Sequence, residues 1–142
     1  MDIFKSLQIS ASGLSAQRKW MDTIASNLAN SRATRTPEGG PYRRRDPVFL
    51  AEPVQEGNPV STPDTSRMGV KVASIAVDPS PPNLVFEPGH PDANAEGYVA
   101  YPNVSVMEET VNMVAASRSY EANLQAFNAF KNMALRALDL FR

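Results

Sequence analysis

The placement of proline limits what this 142-residue sequence can form more than any other feature. All twelve prolines, together with six of the seven glycines, lie between Pro37 and Pro102. Proline lacks the backbone N–H that a helix needs and clashes with the preceding turn, so a long helix is excluded from this stretch. We therefore predict three parts: a helical start at 1–32, a middle module at 33–103 and a helical end at 104–142.

The start of the chain has the periodicity of a helix that runs from about residue 3 to 30. Its main apolar row has four side chains spaced seven residues apart: Leu7, Leu14, Met21 and Leu28. A companion row includes Ile24 but is interrupted by the polar residues Ser10 and Gln17. Asn30 tolerates the left-handed conformation in which many helices end, so it marks the predicted exit.

The end of the chain predicts a longer helix, from residue 105 to 142. Ser105 followed by Glu108 matches a capping box, and Glu108 and Glu109 place negative charge in the first turn, where the helix dipole favours it. The main apolar row again recurs every seven residues: Val106, Met113, Tyr120, Phe127, Ala134 and Phe141. Other apolar side chains lie beside this row: Ala116, Leu124, Phe130, Ala137 and Leu138. The two apolar rows predict that the terminal helices form an antiparallel coiled coil.

The middle of the chain predicts short β-strands rather than random coil. Residues with high strand propensity cluster at 48–50, 70–77, 84–86 and 98–101, and turn residues separate the clusters. The polar, proline-rich stretch 53–68 predicts a mobile segment. The predicted fold class is therefore mainly α, with a small and irregular β-rich insertion between the terminal helices.

Both predicted helices carry few charges, which is unusual for a helix with one face in water. The first has no charged residue between Lys5 and Arg18, and the last has three between positions 110 and 135. Small uncharged side chains let neighbouring backbones approach and avoid burying unpaired charge. The pattern favours terminal helices that pair and then form an inner layer among many similar helices. The alternative is a monomeric coiled coil that serves as a soluble or secreted adaptor protein.

Composition and motifs exclude several classes of function. The formal net charge of −1 argues against binding nucleic acid through bulk charge. The absence of cysteine excludes disulfides, thiolate catalysis and zinc–thiolate sites. His90 is the only histidine, and neither a ligand set nor a nucleophile motif accompanies it. We therefore expect no metal, no cofactor, no small-molecule substrate and no enzymatic activity, cell-wall hydrolysis included.

Two further patterns bear on where the chain is found. No apolar run reaches the roughly 18 residues that a membrane span needs. The N-terminal residues lack the basic region, apolar stretch and small-residue cleavage site of a secretory signal, so we expect no cleaved signal peptide.

Five segments carry a resemblance to a known family. Residues 10–18 (SASGLSAQR) and 24–30 (IASNLAN) resemble the N-terminal motif of flagellar rod and hook proteins. Residues 39–45 (GGPYRRR) and 90–104 (HPDANAEGYVAYPNV) are similar to segments of the proximal-rod members of that family. Residues 117–123 (SRSYEAN) match the C-terminal motif. On these segments the sequence is identified as a member of the flagellar axial family.

The resemblance implies a structural subunit of the proximal rod in the bacterial flagellar basal body. It implies export by the flagellar type III apparatus, followed by polymerisation into the periplasmic drive shaft that transmits torque. The implied partners are copies of this chain, other rod proteins, the adaptor that joins the rod to the membrane ring and, during secretion, the export apparatus.

Two sets of residues are candidate assembly sites. The loop formed by Arg43, Arg44 and Arg45 is a candidate for salt bridges to an acidic neighbour, and the alternative is a solvated loop. The helix rows and their asparagines are candidates for an intersubunit seam, and the alternative is ordinary helix packing and capping. The predicted seam consists of Leu7, Leu14, Met21, Ile24, Leu28, Asn27, Asn30, Val106, Met113, Tyr120, Asn123, Phe127, Phe130, Leu138 and Phe141.

Overall fold

The structure, a computed structural model, describes residues 3–53 and 68–139. The predicted mobile stretch falls, apart from its ends, on residues 54–67, which lie outside the described residues, as does Phe141. A helix comes first in the chain, four strands follow, and a second helix comes last. This order confirms the predicted class of two long terminal helices around a small β insertion.

The first helix begins and ends close to the predicted residues, and the second begins close to its predicted start, while its predicted end at 142 lies outside the described residues. Helix α1 spans Ile3–Ala29 and helix α2 spans Val106–Asp139. At the end of α1, the Asn30 side-chain amide donates to the Ser26 carbonyl at 2.8 Å and so satisfies an acceptor of the last turn. At the start of α2, the Ser105 hydroxyl accepts a hydrogen bond from the Glu108 N–H at 3.4 Å. Ser105 therefore acts as the N-cap that the sequence predicts.

The order of the contacts between α1 and α2 shows that the helices run antiparallel. Gly13 lies against Asn123, the Arg18 guanidinium approaches the Tyr120 hydroxyl at 3.5 Å, and the Asn27 amide donates to Glu109. Higher numbers on α1 thus meet lower numbers on α2. The C-terminal end of α1 and the N-terminal end of α2 consequently meet at one end of the pair.

A long hairpin packs on α1. Strand β1 spans Arg45–Pro53 and pairs antiparallel with strand β2, Met68–Val77, with a bulge between Val48 and Phe49. The Trp20 and Phe49 rings meet edge to face with centroids 6.2 Å apart. The Ser12 hydroxyl accepts a hydrogen bond from the Val70 N–H at 3.0 Å. These contacts join the middle module to the first helix.

A second, shorter hairpin precedes α2. Strand β3 spans Asn83–Phe86 and pairs antiparallel with strand β4, Tyr98–Tyr101. Gly97 supports the return of the chain with a φ of +83°, a conformation that favours glycine. The described part of the middle module therefore contains two separate two-stranded sheets, whereas the sequence predicted strands without an order. Neither helix of the described ranges has the length and apolar character of a membrane span.

A substitution of Gly13 tests how tightly α1 packs against Asn123 of α2. A Cβ at this position would lie 2.9 Å from the Asn123 side-chain nitrogen, so a large side chain would have to displace the Asn123 amide from its place between the helices. We expect Gly13→Leu to lower the free energy of unfolding by about 1–3 kcal/mol, the usual cost of overpacking. Chemical denaturation of the purified chain, followed by far-UV circular dichroism, measures this loss.

Ala11→Leu is the matched control, because it adds the same side chain to the same helix at an exposed position. Its free energy of unfolding should stay within about 0.5 kcal/mol of the parent. Equal losses in the two variants would contradict the close packing at Gly13.

Candidate assembly interface and its buried polar network

The side of α1 that faces α2 is built from small and polar residues. Ser10 and Ile24 belong to the interrupted companion row and are buried, and by helical spacing they share the side that carries Gly13 and Asn27. On α2, the fully buried residues Glu109 and Ala116 lie seven positions apart, in one row with Asn123. Contact within the chain therefore uses the companion rows of both helices.

The main apolar rows, by contrast, are only partly covered. All members of the α1 row are half-buried: Leu7, Leu14, Met21 and Leu28. Half-buried too are these predicted seam residues: Asn30, Met113, Tyr120, Asn123, Phe127 and Phe130. Val106 is 54% exposed and Leu138 is 67% exposed. Most of the predicted seam thus keeps apolar surface in solvent, while Ile24 and Asn27 are buried inside the chain.

Asn27 lies at the centre of a buried polar network at the junction of the two helices. Its amide nitrogen donates to the Arg45 carbonyl at 2.8 Å and to the Glu109 Oε2 at 2.9 Å. Its amide oxygen accepts from the Tyr42 hydroxyl at 2.9 Å and from the Arg45 N–H at 3.0 Å. All four hydrogen-bonding positions of a fully buried amide are therefore used.

Glu109 is a fully buried carboxylate, and Arg44 neutralises it. The Arg44 Nε donates to the Glu109 Oε1 at 2.8 Å, and the same guanidinium forms an ion pair with Asp46. Burial opposes the charge of the guanidinium, but the hydrogen bond to Glu109 and the attraction of Asp46 outweigh this effect and raise the pKa of Arg44. Asn103 Oδ1 accepts from the Arg44 N–H at 3.1 Å and fixes the backbone there.

The three arginines predicted as one salt-bridging loop have different surroundings. Arg44 is directed into the chain, where only 19% of its side chain is exposed. Arg45 is exposed and lies over the Tyr42 ring, 5.5 Å from its centroid. Arg43 is also exposed, and no residue of the described ranges forms an ion pair with it. Arg43 and Arg45 are therefore the members that remain open to a neighbouring subunit.

A second polar contact joins the loop after α1 to the connection between β3 and β4. The Thr34 hydroxyl donates to Asp92 at 2.8 Å, and Arg35 forms an ion pair with the same carboxylate. The Thr34 hydrogen bond and the Arg35 charge lower the pKa of Asp92. His90 accepts the Asp92 N–H through Nδ1 at 3.1 Å, so its role here is in the local turn. The described residues hold no group of three or more potential metal ligands.

The sequence predicts Glu109 as a helix-dipole partner, whereas the structure also pairs it with Arg44 inside the chain. A signal for its burial was present, because Glu109 occupies the row that continues through Ala116, Asn123, Phe130 and Ala137. A charged residue in a row of this kind calls for a buried partner. Nothing local identifies Arg44, which lies 65 positions away in sequence.

Comparisons with known proteins match the two terminal parts of the chain. The family described as "Flagella basal body rod protein" matches residues 7–34, and "Flagellar basal body rod FlgEFG protein C-terminal" matches residues 95–140. The first match covers most of α1, and the second covers β4 and α2. The fold and these matches define a flagellar basal-body rod protein.

Relatives along the whole chain identify the family more narrowly. The chain is 45% identical to "Flagellar basal-body rod protein FlgC" of Bacillus subtilis, 42% identical to that of Salmonella typhimurium and 41% identical to that of Borreliella burgdorferi. The alignments cover 99–100% of this chain and 98–99% of the relatives. The chain belongs to the FlgC family.

Family membership decides between the functions that the sequence left open. The chain is a structural rod subunit of the flagellar basal body, rather than a monomeric adaptor. The relatives are named as rod proteins, which form a non-enzymatic family, so the expectation of no enzymatic activity is confirmed.

The Arg44–Glu109 pair predicts a large coupling energy. Arg44→Met leaves Glu109 buried without its counter-charge, and we expect the free energy of unfolding to fall by about 3–5 kcal/mol. Arg44→Met combined with Glu109→Gln should be more stable than Arg44→Met alone, because no unpaired charge then remains. Denaturation of the parent, both single variants and the double variant measures the coupling.

Arg43→Met is the control for this cycle, since Arg43 is exposed and outside the network. It should change the free energy of unfolding by no more than about 0.5 kcal/mol. Strictly additive losses in the cycle would show that the two residues do not act as a pair.

The Asp92 contact predicts a pH dependence. Because the pKa of Asp92 is lowered from its ordinary 3.8, its contribution to stability is present above that value and is lost as the pH falls through the lower folded pKa. NMR titration should therefore show the Thr34 and Arg35 signals moving below pH 3.8. In Asp92→Asn this movement should be absent, and its persistence there would refute the assignment.

Proposed function

We propose that α1 and α2 pack as an antiparallel coiled coil in the inner layer of the proximal rod. The predicted seam residues would then contact the helices of neighbouring subunits. The observation that carries this proposal is the partial exposure of the main apolar rows. Helix pairing within the chain covers small and polar residues and leaves Leu14, Phe127 and their row partners half in solvent. Neighbouring helices that cover these rows would remove more apolar surface from water.

The division into parts that we propose keeps 1–32 and 104–142 as the helical core and 33–103 as the outer module. The two hairpins support this division, because their large apolar side chains are mostly exposed. The segment from Tyr42 to Asp46 belongs to the middle module but contacts the helix junction through the polar network. The outer module is thereby held to the core at its beginning.

We further propose that the chain is exported by the flagellar type III apparatus without a cleaved signal peptide and polymerises in the periplasm. Its partners would be copies of itself, other rod proteins and the adaptor at the membrane ring. The assembled drive shaft would carry torque. The resemblance of the sequence motifs supports this proposal, as do the relatives named as basal-body rod proteins. A sequence without cysteine is also suited to an oxidising compartment.

The seam proposal predicts the effect of a charge in either main row. Leu14→Asp or Phe127→Asp should prevent incorporation into the rod, because assembly would bury an unpaired carboxylate. Each variant replaces the only copy of the gene in a flagellated host. Basal bodies are then isolated, probed for the chain and imaged, and swimming is scored.

Gln125→Asp is the matched control on α2, where Gln125 is exposed. This variant should be incorporated, and the host should swim. Normal rods that contain Leu14→Asp and Phe127→Asp would refute the seam.

A further inference from the structure

A groove of about 320 Å³ opens beside the arginine loop and combines positive charge with apolar surface. Arg43 and Arg45 line it together with Val77, which is 51% exposed, and Pro41. Glu38 also lines the groove, so two cations face one carboxylate there. The ion pairs found among the described residues do not include Arg43 or Arg45. The groove therefore has a net positive charge that the chain leaves unpaired.

An adjoining pocket adds an unpartnered donor to the same surface. This pocket has a volume of about 120 Å³, shares Pro41 and Arg43 with the groove, and is lined on its other side by Asn103. The Asn103 Nδ2 is buried and has no acceptor among the described residues, whereas its Oδ1 is held by the Arg44 N–H. Arg43 lines both cavities, with Arg45 beside it in the groove and Asn103 beside it in the pocket. The chemical complement of these donors is a carboxylate.

The first two turns of α2 present the complementary chemistry in a separate cleft of the same chain. Met107 is 80% exposed and Val111 is 63% exposed, and the exposed Glu108 lies between them in sequence. These side chains and Asn112 line one shallow cleft. No ion pair to Glu108 occurs in the part of the chain that the structure describes. The unpaired Glu108 carboxylate therefore lies beside the exposed apolar side chains of Met107 and Val111.

We propose that the groove at Arg43 and Arg45 receives the start of α2 from a second copy of this chain. The Glu108 carboxylate of one copy pairs with Arg43 of the next, and Met107 and Val111 cover Val77 and Pro41. This inference rests on the proposed polymerisation of the chain and names one contact within it.

A second copy is the occupant because the two unmatched surfaces belong to one chain and complement each other in charge and in apolar character. The groove and the helix start are different surfaces, so the contact is heterologous. After one contact forms, each pair of subunits still has one groove and one helix start free, which allows the next copy to add. Such contacts produce rings or helical filaments, as a rod requires.

The absence of native cysteine permits a direct crosslinking test. Glu38→Cys marks the groove and Asn112→Cys marks the helix start, and both leave Arg43 and Glu108 in place. Two plasmids supply these variants, each with a different epitope tag, to a flagellated host that lacks the native gene. Isolated basal bodies are treated with a short bis-maleimide reagent. We expect a crosslinked dimer of twice the subunit mass that carries both tags.

Glu96→Cys is the control for the groove position, because Glu96 is also exposed but lies on the turn between β3 and β4. Combined with Asn112→Cys, it should give no dimer. Basal bodies that contain both tagged variants but no Glu38–Asn112 crosslink would overturn the inference and leave the rod function intact. If tagged chains without a cysteine substitution are absent from basal bodies, that result would instead contradict polymerisation itself.

Charge reversal separates this contact from mere proximity. Arg43→Glu and Glu108→Arg, each expressed alone, should reduce the crosslinked dimer at least tenfold, because each places like charges together. The double variant Arg43→Glu with Glu108→Arg should restore the dimer, since the pair is then reversed. If the single variants crosslink as well as the parent, Arg43 and Glu108 do not pair with each other. If the dimer is lost in the single variants and is not restored in the double variant, another partner meets these residues.

Discussion

The buried Glu109 carboxylate, bonded to both Asn27 and Arg44, is the interaction on which the rest of the fold depends. It joins the end of α1, the start of the middle module and the first turn of α2. A fully buried carboxylate is tolerated only with a counter-charge and hydrogen bonds, and Arg44 and Asn27 supply them. The segment around Arg44 therefore forms part of the contact that joins the terminal helices.

The inner and outer sides of the helix pair differ in the size and polarity of their side chains. Inside the chain, Gly13 leaves room for the Asn123 side chain, Ala116 is fully buried, and the polar groups are mostly hydrogen-bonded. Outside, the rows that include Leu14 and Phe127 keep large apolar side chains half-exposed. A monomer selected for solubility would place these groups the other way round. In a subunit that polymerises, assembly with neighbouring subunits can bury these large apolar side chains and so remove their surface from water.

Local features were predictable from the sequence, and distant pairings were not. Both helices followed from apolar spacing, and the cap at Ser105 followed from residues three positions apart. The row with Leu7 and Leu14 is a candidate for contact within the chain or between subunits, and the sequence does not show that the interrupted row with Ser10 and Ile24 is the more buried one within the chain. Three consecutive arginines look equivalent in sequence. The backbone bond to Asn103 and the position of Glu109 decide which of them is directed inward.

A polar network of this kind also selects one register for the helices. Faces made of serine, alanine and glycine can slide past each other at little cost, because many alignments bury similar small groups. Asn27 and Glu109 remove that freedom, since a shift by one turn would separate the amide from the carboxylate and strand a buried charge. The register in turn determines where Leu14 and Phe127 lie relative to each other on the outer surface. Every copy in a rod must present the same outer surface to its neighbours, so a buried pair inside one subunit helps to define the geometry between subunits.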